Sequence, residues 1–431
     1  MVPLSWTTPR PTRYALAAAR RAATLCSALI AALGACLTVS ARAADKPSIT
    51  VMATDFEKAS DGVTATPDHL ELVAGGQWFS FGVEIPVAGR YRVEVTARSD
   101  SDKPATMHLE DHIDNPDGRH YDITAAMPVA GKDFQVCSKD GSPLDKGRHH
   151  LKLHADGGGM DVESIRFTLL REHELTPKVR QQSTEGGDWR LVWSEEFDKD
   201  GQPDPAVWAH DLGNWGWGNN EPQYYTESRL ENARVEGGRL IVEARKDRPD
   251  GGWSSARLTT RGRVSFLYGR FEIRAKTTTG RGNWAAIWML GDPYRDELSW
   301  PYCGEIDILE NVGREIDDAT GDGTAHFSCH TRAHYFKENS HISTTKQIAG
   351  LGNQFHDYVL EWTPEAVTIS FDGEHVYTYD KQGGEREYPF RQPQNLIINM
   401  AMGGGMGGEI DPSLTSERME VDFIRLYERA E

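Results

Sequence analysis

Cysteine is scarce in this chain, which has five among its 431 residues. Two of them, Cys26 and Cys36, lie in the first 44 residues, and no Cys-x-x-Cys pair occurs. The other three, Cys137, Cys303 and Cys329, are too few for a disulfide scaffold and form no zinc motif. A Cys303–Cys329 bridge, which an oxidising compartment permits, and two buried free thiols are equally open.

Basic residues are also in deficit, because 47 Lys and Arg face 65 Asp and Glu, which gives a formal net charge of −18. Such a balance argues against proteins that bind nucleic acid or anionic membranes, since both need a basic surface. Hydrophobic residues make up only 38% of the chain. This fraction excludes a protein with many membrane spans.

Acidic residues are missing from positions 1–44, which hold five Arg and an apolar run over 22–39. The Ala-Arg-Ala pattern at 41–43 completes a secretory signal peptide, which predicts a secreted or periplasmic protein. The run is shorter than the roughly 20 residues of a membrane anchor. An alternative is that 33–36 (Leu-Gly-Ala-Cys) is a lipoprotein cleavage site, with a lipid anchor at Cys36. Without residues 1–44, 42 basic residues face 65 acidic ones and the net charge is −23.

Long helical periodicity is absent from residues 46–170. The stretch 77–99 alternates apolar and polar residues and places four apolar side chains on one face: Phe79, Phe81, Val83 and Ile85. Alternation of this kind is typical of half-buried strands. We therefore predict a small β-sandwich over 46–170. Residues 171–187 are polar and lack any period, so we predict a linker there.

Ten of the twelve tryptophans follow residue 188. Between 188 and 429, short alternating runs recur with turn residues between them, and Asp372-Gly373 marks a hairpin. This spacing predicts a second, antiparallel β-sandwich. The predicted fold class is therefore all-β, with two β-sandwich domains.

Three carboxylates lie within six residues at Glu305, Asp307 and Glu310. On a strand Glu305 and Asp307 share a face, because side chains alternate, and one extra residue in a β-bulge returns Glu310 to that face. Two carboxyl groups about 5–5.5 Å apart suit a retaining glycosidase. A solvated acidic edge strand and a calcium ligand set are the competing interpretations.

The surrounding sequence resembles glycoside hydrolase family 16, especially its laminarinase branch. The family pattern E-x-D-x-x-E stands within "WPYCGEIDILENVG" (300–313), and "GNNEPQYYT" (218–226) resembles a laminarinase segment. The resemblance spans 189–428 and implies a jelly-roll sandwich of the concanavalin A-like kind with a concave catalytic cleft. Residues 46–170 resemble a carbohydrate-binding module of the family-6 kind, on "GGQWFSFGVEIPVAGRYRV" (75–93) and "LDKGRHHLKLHADGGGMDVESIRF" (144–167).

The resemblance implies that Glu305 is the nucleophile, Glu310 the general acid/base and Asp307 the assisting carboxylate. It also implies five substrate-binding residues: Trp284, Trp288, His326, Asn220 and Arg257. Indole rings stack well on the apolar faces of sugars. Core packing is the competing interpretation for Trp288. The chain departs from the family at Met406, where a tryptophan is frequent. The atypical stretch 327–347 is expected to form a rim of the cleft.

The resemblance implies an endo-β-1,3-glucanase that acts on β-glucan with retention. Galactan hydrolysis of the agar or carrageenan type, transglycosylation and non-catalytic glucan recognition are the alternatives. Sulfated galactans are disfavoured by the acidic charge, and a recognition protein by the presence of all three carboxylates. We expect a monomer that needs no cofactor, with a structural calcium ion left open and no site for another metal.

Overall fold

Short strands, many of them with alternating burial, make up about half of the described chain, and turns and loops make up most of the rest. The computed structural model describes residues 46–101, 103–174, 176 and 178–430. The signal peptide expected at 1–44 and the lipid anchor considered at Cys36 lie outside these residues. Among the described residues, none of the helices combines the length and the apolar character needed to cross a bilayer.

The N-terminal sandwich holds twelve of the described strands and one 3₁₀ turn (Ala53–Asp55). Its strands are β1 (Ser48–Met52), β2 (Lys58–Ala59), β3 (Thr64–Ala65), β4 (Leu70–Leu72), β5 (Trp78–Ile85), β6 (Gly89–Arg98), β7 (Ala105–Asp111), β8 (Tyr121–Asp122), β9 (Met127–Val129), β10 (Gln135–Leu144), β11 (Gly147–Gly157) and β12 (Met160–Glu172).

These strands form two antiparallel sheets. One has the order β10-β6-β12-β4-β3 with β1 on β12, and the other β2-β5-β11-β7-β8 with β9 on β7. The apolar face predicted on β5, from Phe79 to Ile85, is buried in the core between them. The predicted N-terminal β-sandwich is confirmed.

The C-terminal sandwich follows with nineteen described strands, a 3₁₀ turn (Phe336–Glu338) and the one-turn helix α1 (Gly404–Gly407). Its strands are β13 (Val179–Gln181), β14 (Trp189–Glu195), β15 (Ala209–His210), β16 (Tyr224–Tyr225), β17 (Ala233–Val235), β18 (Leu240–Arg245), β19 (Ser254–Ser255), β20 (Arg257–Thr259), β21 (Ser265–Leu267), β22 (Gly269–Lys276), β23 (Asn283–Gly291), β24 (Glu305–Ile316), β25 (Gly323–His330), β26 (Ile342–Ile348), β27 (His356–Trp362), β28 (Ala366–Phe371), β29 (Glu374–Asp380), β30 (Gln394–Met402) and β31 (Ser416–Arg429).

Two large sheets result. One runs β13-β21-β30-β23-β24-β25-β26 with β15 and β20 attached, and the other β16-β19-β18-β31-β22-β27-β28-β29 with β14 and β17 attached. Their facing sides bury a single large apolar cluster. Strand β24, which carries the three carboxylates, lies between β23 and β25. The predicted hairpin is present between β28 and β29, where Asp372 and Gly373 have φ of +46° and +81°.

The segment 171–187 is more structured than the predicted linker. Its first two residues end β12, and β13 pairs in parallel with β21 of the C-terminal sandwich. Residues 47–431 form one compact unit. The segment is polar because its short strand β13 is exposed. An exposed strand of three residues has no alternation of apolar side chains, so its sequence resembles that of a linker.

Cys303 and Cys329 are free, buried thiols, and Cys137 is a half-buried one. The sequence left open a Cys303–Cys329 bridge and two free thiols, and the structure shows the free thiols. Cys329 lies in the main core, whereas Cys303 lies in a smaller apolar cluster beside Trp300.

Candidate active site

A β-bulge in β24 brings the three carboxylates to one face of the sheet. Against β23, Trp288 pairs with Asp307 and Ile287 pairs with Leu309, so that Ile308 is the extra residue. Ile308 and Leu309 both enter the apolar core. Two consecutive residues on the core side reverse the alternation, which returns Glu310 to the face of Glu305 and Asp307. The predicted bulge is confirmed.

The carboxylates line a cleft that is rich in tryptophan. Besides Glu305, Asp307 and Glu310, its lining includes five indole side chains, namely Trp215, Trp217, Trp284, Trp288 and Trp300. Flat apolar rings beside a few converging polar groups are typical of a carbohydrate site. Rings of this kind can stack on sugar units beside the acids.

Each glutamate accepts a hydrogen bond from a tryptophan. The indole N–H of Trp284 lies 3.0 Å from Glu310 Oε1, and that of Trp300 lies 3.0 Å from Glu305 Oε2. Trp284 belongs to the neighbouring strand β23, whereas Trp300 belongs to the loop that precedes β24. These bonds orient the two carboxyl groups from opposite ends of the motif.

Burial and mutual repulsion raise the pKa of both glutamates. Burial, followed by the charge of Asp307, raises the pKa of Glu310 to about 8. The same two causes raise the pKa of Glu305 well above its usual range, and the Trp300 hydrogen bond opposes them. The three carboxyls therefore carry fewer than three charges near neutral pH. One can donate a proton while a neighbour acts as a base or nucleophile.

Asp307 is held from strand β25. The hydroxyl of Ser328 donates a hydrogen bond to its Oδ2, and His330 Nε2 lies 3.4 Å from the same oxygen and 3.8 Å from Glu305 Oε1. His330 is thus the histidine that the structure places at the carboxylates. Its signal in the sequence was weak, namely the two-residue spacing from Ser328 that put both on one face of β25.

The other site residues predicted from the sequence are distributed as follows. Trp288 donates its indole N–H to Asn399 Oδ1 at 2.7 Å, and the guanidinium of Arg257 lies 4.6 Å from the Trp288 ring centroid. Both line the cleft with Trp284. Asn220 lines an adjoining cavity instead, while its neighbour Asn219 lines the cleft.

His326 differs from the expectation. Its Nε2 lies 2.7 Å from Glu315 Oε2, and it is not among the described residues that line the cleft. Its Cα does pair with that of Glu310, but the side chain turns toward the far end of β24. Its proposed contact with substrate stays a prediction that the structure does not favour.

Sequence reasoning missed several residues of the cleft. Trp215, Trp217, Glu297, Trp300 and Asn399 line it without having been assigned a role. Trp215, Trp217 and Asn399 come from loops and strands remote from the acidic motif, whereas Glu297 and Trp300 lie in the irregular loop directly before it. The only signal of the tryptophans in the sequence was their surplus. The rim expected from 327–347 contributes Phe336 and Lys337. Met406 lies in α1 and is not among the lining residues described.

Four groups of described residues could hold a metal ion together. One is the site trio of Glu305, Asp307 and His330, and three lie on the N-terminal sandwich: His108, Glu110 and His154; Asp111, His112 and His149; His69, Glu71 and Asp161. Each group contains a histidine, whereas calcium prefers oxygen ligands. A structural calcium ion stays a prediction, to be tested by melting with and without a chelator.

Comparison with known proteins places this geometry in context. Residues 215–425 match the model of the family described as "Glycosyl hydrolases family 16". A "Beta-glucanase" of Rhodothermus marinus is 44% identical over 249 residues, which covers 56% of this chain and 85% of that protein. A "Glucan endo-1,3-beta-glucosidase" of Cryptopygus antarcticus is 33% identical over 270 residues, with coverage of 56% and 93%.

Among solved structures, the laminarinase from Rhodothermus marinus is similar with a TM-score of 0.53 and 43% identity. The match covers 57% of this chain and 99% of the laminarinase chain. The likeness bears out the jelly-roll architecture expected of the C-terminal sandwich. The family match begins at residue 215, so the N-terminal sandwich lies outside it.

Proposed function

The chain belongs to glycosyl hydrolase family 16, and we propose that this glycoside hydrolase cleaves internal β-1,3 bonds of laminarin-like β-glucans with retention. The observation that carries the proposal is the bulged strand, which holds Glu305 and Glu310 on one face of a tryptophan-lined cleft. The printed names of the relatives, a beta-glucanase and a glucan endo-1,3-beta-glucosidase, support β-glucan as the substrate class.

The chemistry proceeds in two steps. Ionised Glu305 attacks the anomeric carbon while protonated Glu310 gives its proton to the departing glycosidic oxygen, which leaves a glycosyl ester on Glu305. Glu310, now ionised, takes a proton from water, and the resulting oxygen attacks the anomeric carbon and frees Glu305. The raised pKa of Glu310 suits the first step, because the acid must hold its proton before it donates it.

Asp307 serves both steps without joining the sugar. Its negative charge lies between the two glutamates and raises the pKa of each. Ser328 holds it by a hydrogen bond, and His330 lies beside it. Trp300 and Trp284 fix the nucleophile and the acid, so that neither carboxyl rotates away from the reacting carbon.

The test compares laminarin, lichenan and agarose as substrates for the full chain. Reducing ends released fastest from laminarin, with a rapid fall in viscosity, support internal β-1,3 cleavage. A first product whose anomeric proton has the β configuration by NMR supports retention. Faster release from agarose would replace the proposal with galactan hydrolysis, and products longer than the substrate would replace it with transglycosylation.

Glu305→Gln tests the nucleophile. We expect turnover to fall by about three orders of magnitude or more, because the amide keeps the shape but cannot form the ester. Glu315→Gln is the control, since Glu315 is on the same strand β24 but contacts His326 outside the cleft. Full activity of Glu305→Gln in a folded chain would refute the assignment.

Export, oligomeric state and cofactor need belong to the same proposal. We propose that residues 1–44 direct secretion to the medium or periplasm, and that the mature enzyme is a monomer that works without a cofactor. N-terminal sequencing of the exported chain distinguishes removal of residues 1–44 from lipidation at Cys36. Light scattering gives the oligomeric state.

A further inference from the structure

The N-terminal sandwich meets the catalytic cleft directly. A second cavity adjoins the one around the carboxylates, and it is lined from both sandwiches. The N-terminal sandwich contributes His120, Tyr121, Asp122 and Ala125, while the other side includes Trp215, Asn220, Glu297 and Lys337. Trp215, Gly218, Glu297 and Lys337 line both cavities. The groove therefore continues from the carboxylates onto the N-terminal sandwich.

Polar contacts seat this sandwich against the cleft. Arg119 donates from one nitrogen to the carbonyl oxygens of Leu298 (3.3 Å) and Trp300 (3.2 Å), in the loop that carries the indole bonded to Glu305. His112 Nε2 lies 2.9 Å from Asp296 Oδ2 in the same loop. These hydrogen bonds and polar contacts fix the N-terminal sandwich against the loop that carries Trp300, and so against the carboxylates.

The backbones of the two sandwiches also touch. A Cβ built on Gly213 would lie 2.0 Å from the carbonyl oxygen of Asp140, and one on Gly141 would lie 2.1 Å from that of Leu212. Tyr224 donates its hydroxyl to Asp140 at 2.9 Å beside them. Since only glycine allows this approach, the two surfaces are shaped for each other.

Lys337 stands where the two cavities join. Its ammonium group lies 4.8 Å from the ring centroid of Tyr121 and 5.4 Å from that of Trp300. It is exposed, and no carboxylate of the described residues forms an ion pair with it. An ammonium group beside aromatic rings and without a carboxylate partner has N–H donors available for other acceptors. Sugar hydroxyl oxygens are acceptors of this kind.

The neighbouring side chains supply further polar and aromatic surface. His120 is exposed, and its Nδ1 lies 3.1 Å from Glu110 Oε1, which leaves Nε2 for another contact. Trp215 is buried, lines both cavities, and its indole N–H has no hydrogen-bond partner among the described residues. Buried donors without a partner are rare, so Trp215 is a place where the described residues leave a polar group of the cavity wall unsatisfied.

We propose that the N-terminal sandwich completes the substrate cleft, with His120 and Tyr121 joining Lys337 and Trp215 to bind a neutral hexopyranosyl unit away from the scissile bond. The proposal rests on the proposed function and deepens it. It assigns residues 46–170 a place in the cleft itself, in contrast to a tethered module that only retains the enzyme on insoluble glucan.

The experiment measures kcat/KM of the full chain on β-1,3-gluco-oligosaccharides of two to eight units. His120→Ala and Lys337→Met each remove one polar contact with the distant unit, so the loss of kcat/KM grows with chain length. It reaches roughly 3- to 30-fold on the longest substrates. Lys132→Met is the control, because Lys132 lines a separate cavity formed only by the N-terminal sandwich.

A loss of equal size at every chain length, or no loss at any length, overturns the proposal. The proposal is also overturned if Lys132→Met lowers the ratio of kcat/KM on long chains to kcat/KM on short chains as much as His120→Ala and Lys337→Met do. Wild-type turnover of laminarin is the separate readout of the proposed function. Its absence overturns that function and the subsite with it, whereas turnover with length-independent effects overturns the subsite alone. Circular dichroism confirms that each variant is folded.

Discussion

Trp284 donates its indole N–H to Glu310 across 3.0 Å, from strand β23 to strand β24. The bond favours the ionised carboxylate and so opposes the burial that raises the pKa of Glu310. In the proposed mechanism Glu310 must be protonated to act as the acid. Activity is therefore present below its pKa and is lost as the pH rises through it, which forms the alkaline limb of the pH profile.

Trp284→Phe removes that bond and lets the pKa of Glu310 rise further. We expect the alkaline limb of kcat/KM to move to higher pH, together with a loss of roughly tenfold in rate from poorer orientation. Trp288→Phe is the control, because its indole N–H donates to the neutral side chain of Asn399. An alkaline limb that stays in place in Trp284→Phe would contradict this role.

Asp307→Asn should move the same limb in the opposite direction. The negative charge of Asp307 raises the pKa of Glu310. The neutral amide of the variant lets that pKa fall, so Glu310 loses its proton at lower pH. We expect the alkaline limb at lower pH and a lower maximal rate. The measurement is the pH profile of kcat/KM on laminarin. Ser328→Ala keeps the charge, and a shift as large as that of Asp307→Asn would point to a cause other than charge.

His330 should matter more than His326. His330 lies within 4 Å of both Asp307 and Glu305, whereas His326 is bound to Glu315. We expect His330→Ala to lower kcat roughly tenfold or more and His326→Ala to lower it less than about threefold. Equal losses would restore the expectation that His326 faces the substrate.

Arg119→Ala tests how the N-terminal sandwich positions the nucleophile. Its guanidinium holds the carbonyl of Trp300, whose indole bond lowers the pKa of Glu305. Weakening that bond raises the pKa of Glu305, which as the proposed nucleophile must be ionised to attack. The acidic limb of the pH profile should therefore move to higher pH, and kcat should fall.

Arg119→Lys should restore part of the rate, since it retains one donor. Arg148→Ala is the matched control, because Arg148 pairs with Glu57 at the surface of the same sandwich. A lower melting temperature with no change in the acidic limb would show that Arg119 acts on stability alone.

Much of the local structure could be read from residue spacing. Alternation located the buried face of β5, and the spacing of Glu305, Asp307 and Glu310 required the bulge that β24 contains. The linker was the exception. Its short strand β13 pairs with a partner more than 80 residues away, and such pairing leaves no local period.

The sequence by itself determined the all-β class, the strand that carries the acids and the family, because strand faces and catalytic spacing are encoded over a few residues. Only the tertiary structure decided that Trp284 and Trp300 hold the acids, that His330 and not His326 lies beside them, and that the N-terminal sandwich lines the cleft. Most of those relationships join residues far apart in the chain, so packing alone brings them together, whereas Trp300, five residues before Glu305, reaches it through a loop that has no period to predict.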